Sequence, residues 1–180
     1  MISLTVSRKY ARAFLQIGQK EGNFEGLGRE LDQLQALLQE NKELRGVLYS
    51  LAYPAPTRKK IAGSLVKALG LSKITGDFIH LLIDRERMDH FSEIVKSYQA
   101  LCDEATNRIR ATLVTPVDLP RDRAEEVRRQ LEIRTGKQVI LSLERDSSLI
   151  GGALTRIGNL IYDGSLKTQL SRVRENLYKE

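Results

Sequence analysis

The chain has 180 residues, 41% of them hydrophobic and 29% charged, with 29 Lys or Arg against 23 Asp or Glu and a formal charge of +6. That length and apolar content suit one large domain or two small ones with real cores, and they exclude global disorder. A single cysteine, Cys102, excludes an internal disulfide framework and any multi-cysteine zinc site, so the composition fits a reducing compartment.

Helical periodicity begins at Val6 and governs the first hundred residues. Arg8, Lys9 and Arg12 fall where the apolar stretch of a secretory signal would have to lie. Phe24, Leu27, Leu31, Leu34 and Leu38 then recur in steps of three and four, as do Phe91, Ile94, Tyr98, Leu101 and Ala105. Breaks at Gly22, at Tyr53-Pro54-Ala55-Pro56, at Gly70-Leu71-Ser72 and near Arg87 to Asp89 separate six predicted helices: 4–20, 23–40, 42–51, 57–69, 72–86 and 90–107. Thr57 and Ser72 stand at N-cap positions, and Gly70 at a C-terminal stop. The densest apolar run, Phe78 to Ile83, is six residues long with His80 inside it, where a membrane-spanning helix needs about 20. The expectation is a soluble intracellular protein.

Near residue 106 the period changes. Ile109, Ala111, Leu113 and Val117 alternate as in a half-buried strand. Pro120 to Thr135 reads as a helix with Ala124, Val127 and Leu131 on one face and Gly136 as its stop. Val139, Leu141 and Leu143 form a second alternating run. A turn at Arg145 to Ser148, a third strand from Leu149 to Ile157, a fourth from Asn159 to Tyr162 and a last helix capped by Ser165 complete the chain. The stripe of that last helix is Leu166, Leu170, Val173 and Leu177. The predicted fold class is thus a six-helix bundle over residues 1–105 followed by a small α+β domain over 106–180.

Two helices carry more apolar surface than one core face needs. At about 100° per residue, Val6, Tyr10, Ala11, Ala13, Phe14, Leu15 and Ile17 spread over roughly 200° of the first helix. Ile74, Phe78, Ile79, Leu81, Leu82 and Ile83 do the same on the fifth. Either both helices are packed on two sides, or their outer strips form a groove for an amphipathic helix of a partner, and the two readings are compatible.

Catalytic signatures are not found. Gly164-Ser165-Leu166-Lys167-Thr168 lacks the glycine that must precede the lysine of a phosphate loop, and Gly151-Gly152 fits a bulge or a close backbone approach rather than a dinucleotide site. His80 and His90 have no cysteine nearby, Cys102 lies within a helical stripe, and the acid pairs Asp103-Glu104 and Glu125-Glu126 sit among basic residues. No catalytic residue, cofactor or metal is therefore expected. An RNA-binding module is the competing class. The positive excess is thinly spread, however, and its longest run is only Arg58-Lys59-Lys60, without interleaved exposed aromatics.

Several stretches together resemble the delta subunit of bacterial and chloroplast F-type ATP synthases, the oligomycin-sensitivity-conferring protein family of mitochondria. They are Arg8-Lys9-Tyr10-Ala11-Arg12-Ala13; Phe78 to Leu82 with Arg87-Met88, Ile94 and Tyr98; and Leu149-Ile150-Gly151-Gly152, Arg156-Ile157-Gly158 and Asp163-Gly164-Ser165. Thr155 replaces a more usual aliphatic residue and Asn159 a common Asp. The resemblance spans essentially the whole chain. It implies a six-helix N-terminal domain, a smaller α+β domain and a non-catalytic stator role, joining the catalytic head to the peripheral stalk so that proton-driven rotation is coupled to ATP synthesis. It further implies that helices one and five bind the N-terminal helix of an alpha subunit, with Tyr10, Ala13, Phe14, Phe78, Leu81 and Leu82 lining the groove and Val6 and Ile74 in the core. A beta-subunit contact could add to this, and the C-terminal domain would meet the b subunits. Nucleic-acid binding and direct membrane insertion are not implied. The expected location is peripheral, on the cytoplasmic face of a bacterial plasma membrane.

Overall fold

The computed structural model describes residues 2–158 and 160–170, and it divides into two compact units, Met1–Cys102 and Asp103–Glu180. The first is a helical bundle of α1 (Ile2–Lys20), α2 (Phe24–Glu40), α3 (Lys42–Tyr49), α4 (Ala55–Ala68), α5 (Lys73–Asp84) and α6 (Phe91–Ala105), whose last turn passes into the second unit. A single 3-10 turn at Met88–His90 leads into α6. The leucine stripe of α2 is buried as its spacing requires, with Leu27, Leu31, Leu34 and Leu38 against Phe91, Ile94, Val95 and Tyr98 of α6 within one core cluster. Each such side chain contributes about 1.5–3 kcal/mol by leaving water.

The caps explain the helix boundaries. Asn41 ends α2 and starts α3, its side-chain oxygen accepting from Leu44 N–H at 3.1 Å. Gly70 sits at φ +65° after α4, where Leu71 N–H reaches back to Val66 C=O and ends the helix. Ser72 caps α5 as expected. Thr57 does not cap α4: the helix begins at Ala55, and Pro54 supplies the extended cap residue. Pro56 is accommodated in the first turn because the N–H it lacks would have had no helical partner there.

In the second unit β1 (Arg108–Thr115), α7 (Arg121–Thr135), β2 (Gln138–Arg145), β3 (Leu154–Ile157) and β4 (Leu160–Asp163) form an α+β fold with sheet order β2-β1-β3-β4. β1 and β2 run parallel, from Arg108 opposite Gln138 to Thr115 opposite Arg145, with α7 as the crossover. β3 is antiparallel to β1, and β4 to β3. Ala111, Val139 and Ile157 make the buried centre, joined by Ile109, Leu141 and Leu131 of α7. Val117 lies beyond the end of β1 and is exposed.

The third strand is shorter than its sequence suggests. Only 154–157 pair, while 149–153 run as a loop. Gly152 is the physical reason. Its φ of +80° is left-handed, and a Cβ there would lie 2.4 Å from the Gly164 carbonyl oxygen. The crossing is secured by Gly164 N–H donating to Ala153 C=O and Leu166 N–H to Gly151 C=O, both at 3.0 Å. Residues 166–170 are helical, with Thr168 N–H donating to Ser165 Oγ as a cap. Asn159, Val173 and Leu177 lie outside the described residues.

Candidate functional site

In the bundle, α1 and α5 are joined by a stacked ring pair. Phe14 and Phe78 lie with centroids 4.1 Å apart and planes 22° from parallel. Tyr98 of α6 supports Phe14 from below at 5.3 Å, and its hydroxyl donates to Phe24 C=O at 2.8 Å. Burial, followed by the neighbouring Cys102 thiol, pushes the Tyr98 phenol well above its ordinary range, so it stays a neutral donor.

Above this floor each helix raises an apolar shoulder. Going round α1 from buried Phe14 at about 100° per residue come Tyr10, Ile17, Val6 and Ala13, and then Lys20 and Lys9. Along this path Tyr10 and Val6 are half-buried, while Ile17 is 45% exposed and Ala13 is exposed. On α5 the path from buried Phe78 runs through half-buried Ile74 to Leu81, 42% exposed, and then to exposed Asp77. The opposite flank of α5 is occupied by α4, where a Cβ on Gly76 would lie 3.3 Å from Val66. Each helix therefore leaves an apolar shoulder beside its own member of the Phe14–Phe78 pair, as a groove between them would require.

The six residues expected to line it separate by depth. Ala13 and Leu81 are on the surface and Tyr10 is half-exposed, whereas Phe14, Phe78 and Leu82 are buried. Phe14 and Phe78 form the floor, and fully buried Leu82 belongs to the core beneath it. Ile74, expected in the core, is partly buried and packs against the core cluster, and Ile17, absent from the expected lining, is more exposed than Leu81. Its position one step from Tyr10 on the helical projection was the signal.

The position of α5 depends on a carboxylate from another helix. Glu30 Oε2 of α2 accepts from Ser72 N–H at 3.0 Å, from Ser72 Oγ at 2.7 Å and from the buried Thr75 hydroxyl. A carboxylate among donors at a helix N-terminus is held by charge-assisted bonds and by the helix dipole. Replacing Glu30 by Ala leaves these donors without their acceptor and is expected to cost about 1–3 kcal/mol of unfolding free energy, with Glu30→Gln recovering part of it. Urea unfolding of the three chains measures this.

The longest basic run has structural employment. Arg58 is buried with its Nε donating to Tyr53 C=O at 3.1 Å, and Lys59 pairs with Asp84 of α5 at 2.6 Å. Two of its three cations are thus engaged within the bundle and do not form a nucleic-acid patch. Among the described residues no cluster of His, Cys, Asp and Glu could hold a metal, and no helix is long and apolar enough to cross a membrane. In the second unit Leu160, Ile161 and Tyr162 are exposed on the edge strand β4, and Leu166 and Leu170 are exposed beyond it.

Comparison with known proteins agrees with this architecture. The family described as ATP synthase delta (OSCP) subunit matches residues 6–177. The ATP synthase subunit delta of Desulforapulum autotrophicum is 38% identical over 177 residues, covering 98% of this chain and 97% of that one. That of Geobacter sp. strain M21 is 37% identical over 179 residues, covering 99% of each. A chain in the Toxoplasma gondii mitochondrial ATP synthase hexamer has the same fold at TM-score 0.73 and 20% identity, over 96% of this chain and 97% of that chain. A chain in the Polytomella F-ATP synthase, from a refinement of its F1 head and rotor, matches 53% of this chain and 84% of its own length at TM-score 0.50 and 28% identity. A whole-length family match, joined to a two-unit architecture whose surface is built for contact, settles the assignment: the chain belongs to the ATP synthase delta (OSCP) subunit family, the non-catalytic stator subunits that link the catalytic head to the peripheral stalk.

Proposed function

We infer that the α1–α5 groove receives the N-terminal amphipathic helix of one alpha subunit, and that the α+β unit, residues 106–180 with the end of α6, meets the C-terminal helices of the b subunits. Interaction with the alpha subunit and with the peripheral stalk is general to the family, as is a peripheral place on the membrane. The finer assignment rests chiefly on one observation: Ala13, Ile17 and Leu81 exposed, with half-buried Tyr10 and Ile74 next to them, beside a stacked aromatic pair. A helix laid into such a strip gains aromatic and aliphatic contact without displacing the bundle's own core. The Polytomella likeness supports a head contact through the first unit. It spans 53% of 180 residues, about 95, which is more than the 78 from Asp103 to Glu180, so it must include part of the bundle.

The purified chain is expected to bind the catalytic head at nanomolar concentration, to be displaced by a peptide of the alpha-subunit N-terminal helix, and to be indifferent to RNA competitor. Displacement by RNA and not by the peptide would reject the groove assignment.

A further inference from the structure

The charge around the groove is divided unevenly. Helix α1 carries Arg8, Lys9, Arg12 and Lys20 and no acidic residue, so four of the chain's six net positive charges lie on this one helix. All four are exposed, and none has an ion-pair partner among the described residues. Helix α5 has only Lys73 against Asp77 and Asp84, and Asp84 is already held by Lys59. Lys20 and Lys9 are the next positions round α1 beyond Ile17, Val6 and Ala13, so these two adjoin the apolar shoulder directly, while Gln16 and Thr5 separate them from Arg12 on the far face of the helix.

We propose that this rim is an electrostatic guide: the helix that docks in the groove carries acidic residues on the flank lying over α1, Lys9 and Lys20 set its orientation, and Arg12 on the far face adds to the field that steers its approach. The proposal rests on the groove being the docking site. Rim charges act mainly on encounter and register, since they remain hydrated while the apolar strip supplies the hold. A lipid surface or a nucleic acid would also be drawn to such a helix. Neither fits as well, because exposed apolar side chains on both α1 and α5 beside the stacked Phe14–Phe78 pair suit the apolar face of one amphipathic helix. A phosphate backbone gains nothing from that apolar strip.

The test is stopped-flow association of the full chain with a synthetic peptide of the alpha-subunit N-terminal helix, from about 50 to about 500 mM salt. The association rate constant is expected to fall about tenfold or more across that range, and by a similar factor in K9E/R12E/K20E, with the dissociation rate constant changing less than about threefold. The neutral K9Q/R12Q/K20Q chain, which removes repulsion as a cause, should fall between. A peptide whose acidic flank is replaced by lysine should recover fast association with the reversed chain. L81D serves as the control for the groove. If L81D binds the peptide normally, the groove reading itself fails. If L81D is impaired but association is flat in salt and unchanged in both triple variants, the guide is wrong and the groove stands. The guide is also overturned if the triple reversal abolishes capture by phosphatidylglycerol vesicles or RNA while peptide association is unaffected.

Discussion

A chain ended after Ala105 and reconstituted into the whole enzyme is expected to stay on the catalytic head and to give proton-driven ATP synthesis no higher than enzyme lacking the subunit. The bundle's core cluster draws on α1 to α6 and on nothing beyond Cys102, while the second unit closes a separate core around Ala111, Val139 and Ile157. A cut at the end of α6 therefore removes no buried neighbour from the first unit, and the fragment should give sharp near-ultraviolet dichroism. What it loses is the second attachment. A stator held at one point turns with the rotor. Two linked weak contacts resist as one strong contact, because release of either leaves its site at high effective concentration. ATP hydrolysis should persist without proton pumping. Full coupling by the truncated chain would remove the division of labour between the two units.

The second large effect is expected at Leu81. A carboxylate there must be desolvated beneath a docked helix, so Leu81→Asp should weaken head binding by about 2–4 kcal/mol, and Ala13→Asp, which Lys9 four residues earlier partly offsets, by somewhat less. Because both side chains are exposed in the free chain, the thermal midpoint should move by less than about 1 kcal/mol of equivalent stability. Leu82→Asp is the contrasting variant. It places a charge at a fully buried position and is expected to cost more than about 4 kcal/mol, which unfolds the bundle rather than reporting on the groove. Calorimetric titration of the head with each chain, alongside thermal scans, separates the two outcomes. Normal head binding by Leu81→Asp and Ala13→Asp together would show that this strip is not the contact.

Where apolar residues follow a regular period, the sequence was a sound guide. The α2 stripe, the Gly136 stop at φ +66° and the Ser72 cap all appear in the fold, because each is decided by residues within a few positions of one another; β1 and β2 form as strands, but Leu113, Val114 and Thr115 are buried in succession and Leu143 is exposed, so the alternation holds only in part. Non-local geometry was less visible. The loop at 149–153 reads as strand in its apolar pattern, and only its encounter with Gly164 prevents pairing. Thr57 is a good cap residue overruled by a proline three positions earlier. In the groove, the excess width of the apolar arcs was legible on α1 and α5. Depth was not, since the difference between Leu81 and Leu82, one residue apart, is decided by which side faces α4 and the core. The Glu30 anchor could not be read at all, because a glutamate on α2 and a cap on α5 are separated by 42 positions in the chain.

The placement of β1 bears on how the subunit carries load. The backbone leaves α6 and, after Asn107, enters the sheet directly as the interior strand, with eight residue positions registered against β2 on one side and four against β3 on the other. A load applied along the axis of β1 would therefore act on a strand held by two neighbours. In that direction the inter-strand hydrogen bonds are sheared together rather than peeled open one after another, as they would be if the entering strand were at the edge and pulled sideways. Forced opening is governed by the height of a single barrier, and concerted rupture makes that barrier high. A part whose task is to stand still against a turning shaft has its covalent joint set where the sheet is strongest in tension.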